Sequence, residues 1–238
     1  MKPLLVVKAG ETFPELIEKS GDFEDWIVKG LGRPDSEIQV FDAVSGTELP
    51  DPGQIKGAVI SGSHDNVTQN TDWSLRLEAW ARNLIQHQVP LLGICYGHQI
   101  IAKAMGGVVD FHPVSIEIGT RDMELLDACD TDPLFKGVPN RFKAHVFHSQ
   151  SVIQLPSDAF VLARNDFEPH QAFRIGKNAW GVQFHPEADA AVTRGYILHL
   201  EADIKASGQD PDLLVEQLEE TPYAAALLKR FGDLVCEV

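Results

Sequence analysis

The chain has 238 residues, 44% of them hydrophobic, which suits one large or two small globular domains and excludes a disordered chain. With 35 Asp and Glu against 20 Lys and Arg, its formal net charge is −15. Holding nucleic acid or an anionic membrane by counterion release needs a basic face, so neither partner is expected.

At the amino end, Pro3-Leu4-Leu5-Val6-Val7 lies between Lys2 and Lys8, a run shorter than the roughly 7 to 15 residues of a signal-peptide core. No later run approaches the about 18 apolar residues of a membrane span. Leu4 to Lys8 is instead the first of several β-rich runs, followed by Ile38 to Phe41, Ala58 to Ser61 and Pro90 to Ile94. Helix-patterned stretches separate them, and that alternation predicts an α/β fold with an open, mostly parallel sheet. Between the third and fourth runs, Trp73, Leu77, Trp80, Leu84 and His87 recur at helical spacing, predicting a crossover helix of about four turns.

From about residue 108 the strand-like pieces shorten, with turns over 130–140 and at Leu155-Pro156-Ser157-Asp158. A strongly apolar strand returns at Trp180 to Phe184. Ala190 to Ala206 and Asp212 to Phe231 then read as helices, with Leu214/Leu218 and Leu227/Phe231/Leu234 on apolar stripes. Pro211 and Pro222 stand where helices begin. No linker rich in Gly, Ser or Pro divides the chain, so one domain over 1–200 is expected, with a helical extension over 201–238. The extension is expected to serve packing or a homodimer surface rather than chemistry.

The three cysteines, Cys95, Cys129 and Cys236, form no C-x-x-C pair, so neither a disulfide framework nor a structural zinc site is indicated. A reducing, cytoplasmic compartment is expected. An isolated cysteine usually only packs. Cys95 differs, because it ends a buried apolar strand inside Gly93-Ile94-Cys95-Tyr96-Gly97 and a helix follows at once. Gly-x-Cys-x-Gly is the spacing of a nucleophile elbow, in which a strained strand-to-helix turn presents the central side chain. The helix amino end beneath the sulfur stabilises a negative charge there.

A thiolate nucleophile needs a proton shuttle, and Gly181-Val182-Gln183-Phe184-His185-Pro186-Glu187 supplies one. His185 falls at the carboxyl end of a strand, the rim where open α/β sheets place their sites. Glu187, past a stiffening proline, can fix the imidazole tautomer and stabilise its charged form. After the third strand, Gly62 and Ser63 can aim backbone N–H groups at the same rim and form an oxyanion hole with the N–H of Tyr96.

Together these residues resemble the class I, or triad, glutamine amidotransferases, and in pattern the stand-alone proteins similar to the glutaminase half of GMP synthase. The motif Gly-x-Cys-x-Gly-x-Gln stands as Gly93, Cys95, Gly97 and Gln99, and His-Pro-Glu as His185 to Glu187. The resemblance extends through Glu117-Ile118-Gly119, His148, Gln171-Ala172-Phe173-Arg174 and Asn178-Ala179-Trp180-Gly181, over roughly residues 1–200. It implies a flavodoxin-like sheet with helices on both faces. It also implies that Cys95 attacks a γ-glutamyl carboxamide, that His185 protonates the departing ammonia, and that Glu187 orients His185.

By the same resemblance, Gly62, Ser63 and Tyr96 hold the oxyanion, while Gln99 and the backbone around His148 and Ser149 hold the glutamine α-amino and carboxylate groups. No cofactor and no metal are implied. Where relatives often read His-Gly-Asp, this chain has His148-Ser149-Gln150, a departure on the substrate side that leaves the three catalytic positions intact.

Other candidates carry less. His145 and His148 are three apart without a completing ligand set. Gly30-x-Gly32 lacks the third glycine and the preceding strand of a dinucleotide fingerprint. Cys129, Cys236, His112 and His170 have no partner pattern. Three readings stay open: a glutaminase feeding ammonia to an acceptor on a separate synthase chain, a free-standing hydrolase of a γ-glutamyl amide or peptide, and a non-catalytic binding protein on the same scaffold.

Overall fold

The aliphatic runs over Leu4–Lys8, Gly57–Ile60 and Leu91–Ile94 become the buried centre of one sheet, because strands covered on both faces have no polar side to show. The structure, a computed structural model, describes residues 2–236 apart from the side chain of Asp130. Residues 1, 237 and 238, the last two ending the expected extension, and the Asp130 side chain in the expected 130–140 turn lie outside the described set.

In chain order the elements are β1 (Leu4–Lys8), α1 (Pro14–Ser20), α2 (Phe23–Leu31), β2 (Ile38–Asp42), β3 (Gly57–Ile60), α3 (Asp72–Gln86), β4 (Leu91–Ile94) and α4 (Tyr96–Ala104). Then follow β5 (Val108–Phe111), β6 (Glu117–Leu125), β7 (Arg141–His148), β8 (Gln150–Gln154), β9 (Ala159–Arg164), β10 (Ala172–Ile175) and β11 (Ala179–Val182). Four helices close the chain: α5 (Ala190–His199), α6 (Glu201–Ala206), α7 (Pro211–Glu216) and α8 (Pro222–Cys236).

The main sheet has nine strands in the order β2-β1-β3-β4-β11-β10-β9-β6-β7. β2, β1, β3, β4 and β11 pair in parallel. From β11 outward the pairs are antiparallel, so β9 and β7 again point with the parallel set. β5 and β8 form a separate antiparallel pair. The fold is therefore the expected flavodoxin-like, mostly parallel open sheet.

Alternation along β1 sorts its side chains to the two faces. Leu4 and Val6 meet Ile27 and Leu31 of α2 and Leu227, Leu228 and Phe231 of α8. Leu5 and Val7 meet Leu77, Trp80 and Leu84 of α3 and Ile100 and Ile101 of α4. A third cluster, with Phe23, Ile118, Phe147 and Tyr196, lies under α5 to α7.

The helix read over 190–206 is divided at Leu200, whose ψ of 17° leaves the helical range. The stretch read as helical over 212–231 is likewise two helices, because the chain leaves α7 at Gln217 and restarts at Pro222. Asp210 caps α7 by accepting from the Asp212 N–H, and proline stands at the first turn of both helices.

Candidate active site

The elbow follows from close backbone approach. β4 lies between β3 and β11, with Gly93 opposite Ile60 and Gly181, and the Cys95 N–H donates to Val182 O at 2.8 Å. At Cys95 the chain takes φ 50° and ψ −96°, and α4 starts at the next residue. A side chain held in such a sparsely populated region costs about 1–3 kcal/mol and is retained where the surroundings over-determine it. Here they do: a Cβ on Gly93 would lie 2.3 Å from the Gly97 carbonyl, and one on Gly97 would lie 2.5 Å from Ile60 O. Only glycine at both positions lets the chain fold back this tightly.

β11 carries the chain to His185, whose N–H donates to His145 O at 2.8 Å. Its Nδ1 donates to Glu187 Oε1 at 2.7 Å, both side chains being buried. Nε2 makes no full hydrogen bond among the described residues, yet Cys95 lies close enough to influence it. Burial alone would lower the imidazole pKa. The charges of Glu187 and Cys95 and the contacts with both outweigh burial and raise it from 6.5 to about 9. Cys95 and His185 thus line one cavity, close enough for each to act on the other's charge.

The loop after β3 is pinned from both sides. Ser61 N–H donates to Val7 O at 3.0 Å, Ala9 N–H donates to Ser61 Oγ at 2.9 Å, and Ser61 Oγ donates to Gly62 O at 2.8 Å. A Cβ on Gly62 would sit 3.2 Å from His185 Cε1, so this backbone lies against the imidazole. Among the described residues no acceptor takes the N–H of Gly62 or Ser63. The Tyr96 N–H, first in α4, is one of the donors a helix leaves unpaired. The Tyr96 hydroxyl points away and donates to Ser74 Oγ at 2.7 Å.

His148 is placed differently from a free substrate contact. Its Nδ1 donates to Gln150 O at 3.0 Å and its Nε2 to Glu117 Oε2 at 2.9 Å, so both ring nitrogens are occupied. Burial opposes its charge, but the bond to Glu117 and the charges of Glu117, Cys95 and Glu168 raise its pKa. Glu117 also accepts from Gln171 Nε2 at 2.7 Å and Asn165 Nδ2 at 2.6 Å. Gln99 donates through Nε2 to Gln150 O at 2.9 Å and to Gln183 Oε1 at 3.1 Å. Gln150, at the departure from His-Gly-Asp, donates to Thr68 Oγ1 at 2.7 Å.

These groups share one cavity of about 550 Å³ that reaches Ser63, Cys95, Tyr96, Gln99, Ser149 and His185. Sequence reasoning missed its aromatic members. Phe147 stacks on His185 with centroids 3.6 Å apart, and Tyr196 stacks on Phe147 at 3.9 Å. It also missed the buried acceptor Glu117 as a partner of His148; a lone acid at the head of a strand gave no sign beyond its place in the resemblance.

His98 packs on Phe173 at 4.6 Å, and burial pushes its pKa down to about 3. Among the described residues no cluster of His, Cys, Asp and Glu is disposed to hold a metal, and no helix is long and apolar enough to cross a membrane.

The chain is similar to known proteins. Residues 15–203 match the family described as glutamine amidotransferase class-I. A GMP synthase (glutamine-hydrolyzing) of Aeropyrum pernix is 39% identical over 171 residues, covering 70% of this chain and 32% of that protein. The chain thus spans about a third of the length of that relative. Gamma-glutamyl peptidase 4 of Arabidopsis thaliana is 30% identical over 221 residues, covering 91% of this chain and 86% of that one. The crystal structure of a glutamine amidotransferase from Thermotoga maritima superposes with a TM-score of 0.77 at 23% identity, covering all of both chains, which speaks to fold alone. The chain belongs to the class-I glutamine amidotransferase family.

Proposed function

We propose that the protein hydrolyses a γ-glutamyl amide through a thioester on Cys95. The observation that carries this is His185 held by Glu187 at 2.7 Å, with Cys95, on a strained elbow, close enough to act on its charge. A residue that only packs has no need of either feature. In this reading Cys95 Sγ attacks the γ-carbonyl carbon, and the developing oxyanion is held by the N–H groups of Tyr96, Gly62 and Ser63. His185 Nε2–H protonates the amide nitrogen, the C–N bond breaks, and the amine departs. Water then gives a proton to His185 and attacks the thioester, which releases glutamate and restores the thiolate.

With glutamine the departing amine is ammonia, and its use would fall to an acceptor on a separate synthase chain. The 39% identity to a GMP synthase supports that reading. The second reading, a free-standing γ-glutamyl hydrolase, is favoured by the match to a gamma-glutamyl peptidase over 91% of this chain and 86% of that one. Binding without turnover is disfavoured by the strained Cys95, since a bare binding site gains nothing from that backbone.

An electrophilic glutamine analogue tests the chemistry. One equivalent should label Cys95, abolish glutamate release, and fail to label Cys95→Ala. Stoichiometric labelling that persists in Cys95→Ala overturns the assignment.

A further inference from the structure

The cavity around Cys95 has two chemically different ends, and the pleat of β7 creates them. Adjacent residues on a strand point to opposite faces. His148 therefore turns with its cross-strand partner Glu117 toward the polar end, where Gln99 and Gln150 join them. Phe147 turns with its partner Ile118 toward the other side, into the cluster with Phe23 and Tyr196. The polar end offers hydrogen bonds to an α-amino acid head. The other end is a wall of rings.

His185 belongs to that wall. Phe147 stacks on it at 3.6 Å, and the ring of Phe23 lies near-parallel at 6.4 Å. His64 continues the wall, with Phe13 at 4.2 Å and Phe23 at 6.1 Å, and its Nε2 bonds the Tyr196 hydroxyl at 3.0 Å. Desolvation, with the charges of His199 and His185, lowers the His64 pKa and so disfavours a charge on that ring. Leu200, at the break between α5 and α6, completes this end. Among the described residues no Lys or Arg lines the cavity, whereas the exposed Asp65 and Asp203 stand at its edge.

The group that protonates the leaving nitrogen decides where the leaving group lies. Because His185 is set in the aromatic wall, an amine leaving Cys95 must pass along Phe13, Phe23, His64 and Phe147. Glutamine would leave this end empty, although about 550 Å³ is a volume suited to much larger ligands, roughly 300–1,000 Å³ being usual for drug-sized ones. A leaving group with a carboxylate would find no Lys or Arg there, only the His185 imidazolium already paired with Glu187, and two carboxylates at the edge.

Resting on the proposed γ-glutamyl chemistry, we infer that the preferred substrate is the γ-glutamyl amide of an apolar, carboxylate-free amine, bound with its side group against the Phe13–Phe147 wall. The bonds made and broken are those of the thioester route: Cys95 takes the γ-glutamyl group, the amine leaves with a proton from His185, and water completes hydrolysis. The amine then gains a second proton from solvent and leaves past Asp65 and Asp203 as an ammonium.

Three substrates test this on the whole protein: glutamine, γ-glutamylphenylalanine and γ-glutamylphenethylamide, the last two differing by one carboxylate. The phenethylamide should show a kcat/KM at least about tenfold above both others, the scale a filled apolar pocket supplies. Phe13→Ala should reduce its ratio to glutamine by about fivefold or more. A glutamine kcat/KM equal to or above that of the phenethylamide overturns the inference and leaves the γ-glutamyl chemistry standing. Equal rates for the phenylalanine conjugate overturn it as well. If none of the three is hydrolysed, the proposed chemistry itself falls. The wild-type comparison decides these outcomes even if Phe13→Ala does not fold.

Discussion

Phe147 lies flat on the imidazole of His185, with ring centroids 3.6 Å apart and planes 17° from parallel. Tyr196 covers the far face of Phe147 at 3.9 Å and 15°, and its hydroxyl is tied to Thr12 Oγ1 at 2.7 Å and His64 Nε2 at 3.0 Å. The imidazole is therefore held at its edge by Glu187 and on its face by a stack anchored through two hydrogen bonds. An aromatic face favours a cation by about 0.5–2 kcal/mol. Phe147→Leu keeps the bulk and removes that face. Its kcat/KM should fall several-fold, and the alkaline limb of its pH profile should move down by about 0.4 to 1.5 units. A profile that keeps its alkaline limb would show that the stack only packs.

The raised His185 pKa sets both activity and stability against pH. Its value climbs from 6.5 to about 9, so the imidazolium persists through neutral pH and can donate to a leaving nitrogen. Activity should decline as pH passes about 9. For stability the sign is the same: a group bound more tightly to its proton when folded stabilises fully below 6.5 and loses that contribution as pH rises through about 9. Thermal melts across this interval should fall more steeply for the wild type than for His185→Gln. Parallel curves would remove His185 as the cause.

What the sequence discloses and what it hides divide by distance along the chain. Gly93, Cys95 and Gly97 lie within five residues, and His185 to Glu187 within three, so local spacing reveals them. The four leading strands and α3 are visible for the same reason, since each carries its own period. Phe13, Phe23, Phe147 and Tyr196 stand in no motif and carry no spacing that sets them apart. They become one wall only because β7 ends the sheet beside α5, a long-range antiparallel arrangement that short strands after residue 108 do not specify. The division at Leu200 is hidden too, because hydrophobic periodicity runs on through it.

Glycine packing at the elbow gives a sharp contrast in stability. Gly93→Ala would place a methyl 2.3 Å from backbone atoms of Gly97, which no rotamer can relieve. At Gly53 a methyl would meet nothing within 4 Å, and the backbone there has no positive φ. Urea melts should show Gly93→Ala destabilised by about 3 kcal/mol or more and Gly53→Ala changed by about 0.5 kcal/mol or less. Equal stability of the two variants would mean that the elbow is looser than its backbone contacts require.

Cys95, His185 and Glu187 are expected to act as one unit. In the proposed route the thiolate is useless without a proton for the leaving amine, and the proton is useless without the nucleophile. Removing either should therefore remove nearly everything the pair supplies. Cys95→Ala and His185→Ala should each lower kcat by roughly four orders of magnitude or more, and the double variant should be no more than about tenfold worse than the poorer single one. Glu187 acts through another residue, 2.7 Å from His185 Nδ1, so its loss has a different character. Glu187→Gln keeps the shape and a hydrogen-bonding carbonyl but removes the charge that helps hold the imidazolium, so it should lose less than His185→Ala and move the alkaline limb below about 9. Losses that multiply across Cys95 and His185 would mean that the two contribute independently, and an unmoved limb in Glu187→Gln would mean that this carboxylate orients the ring without stabilising its charge.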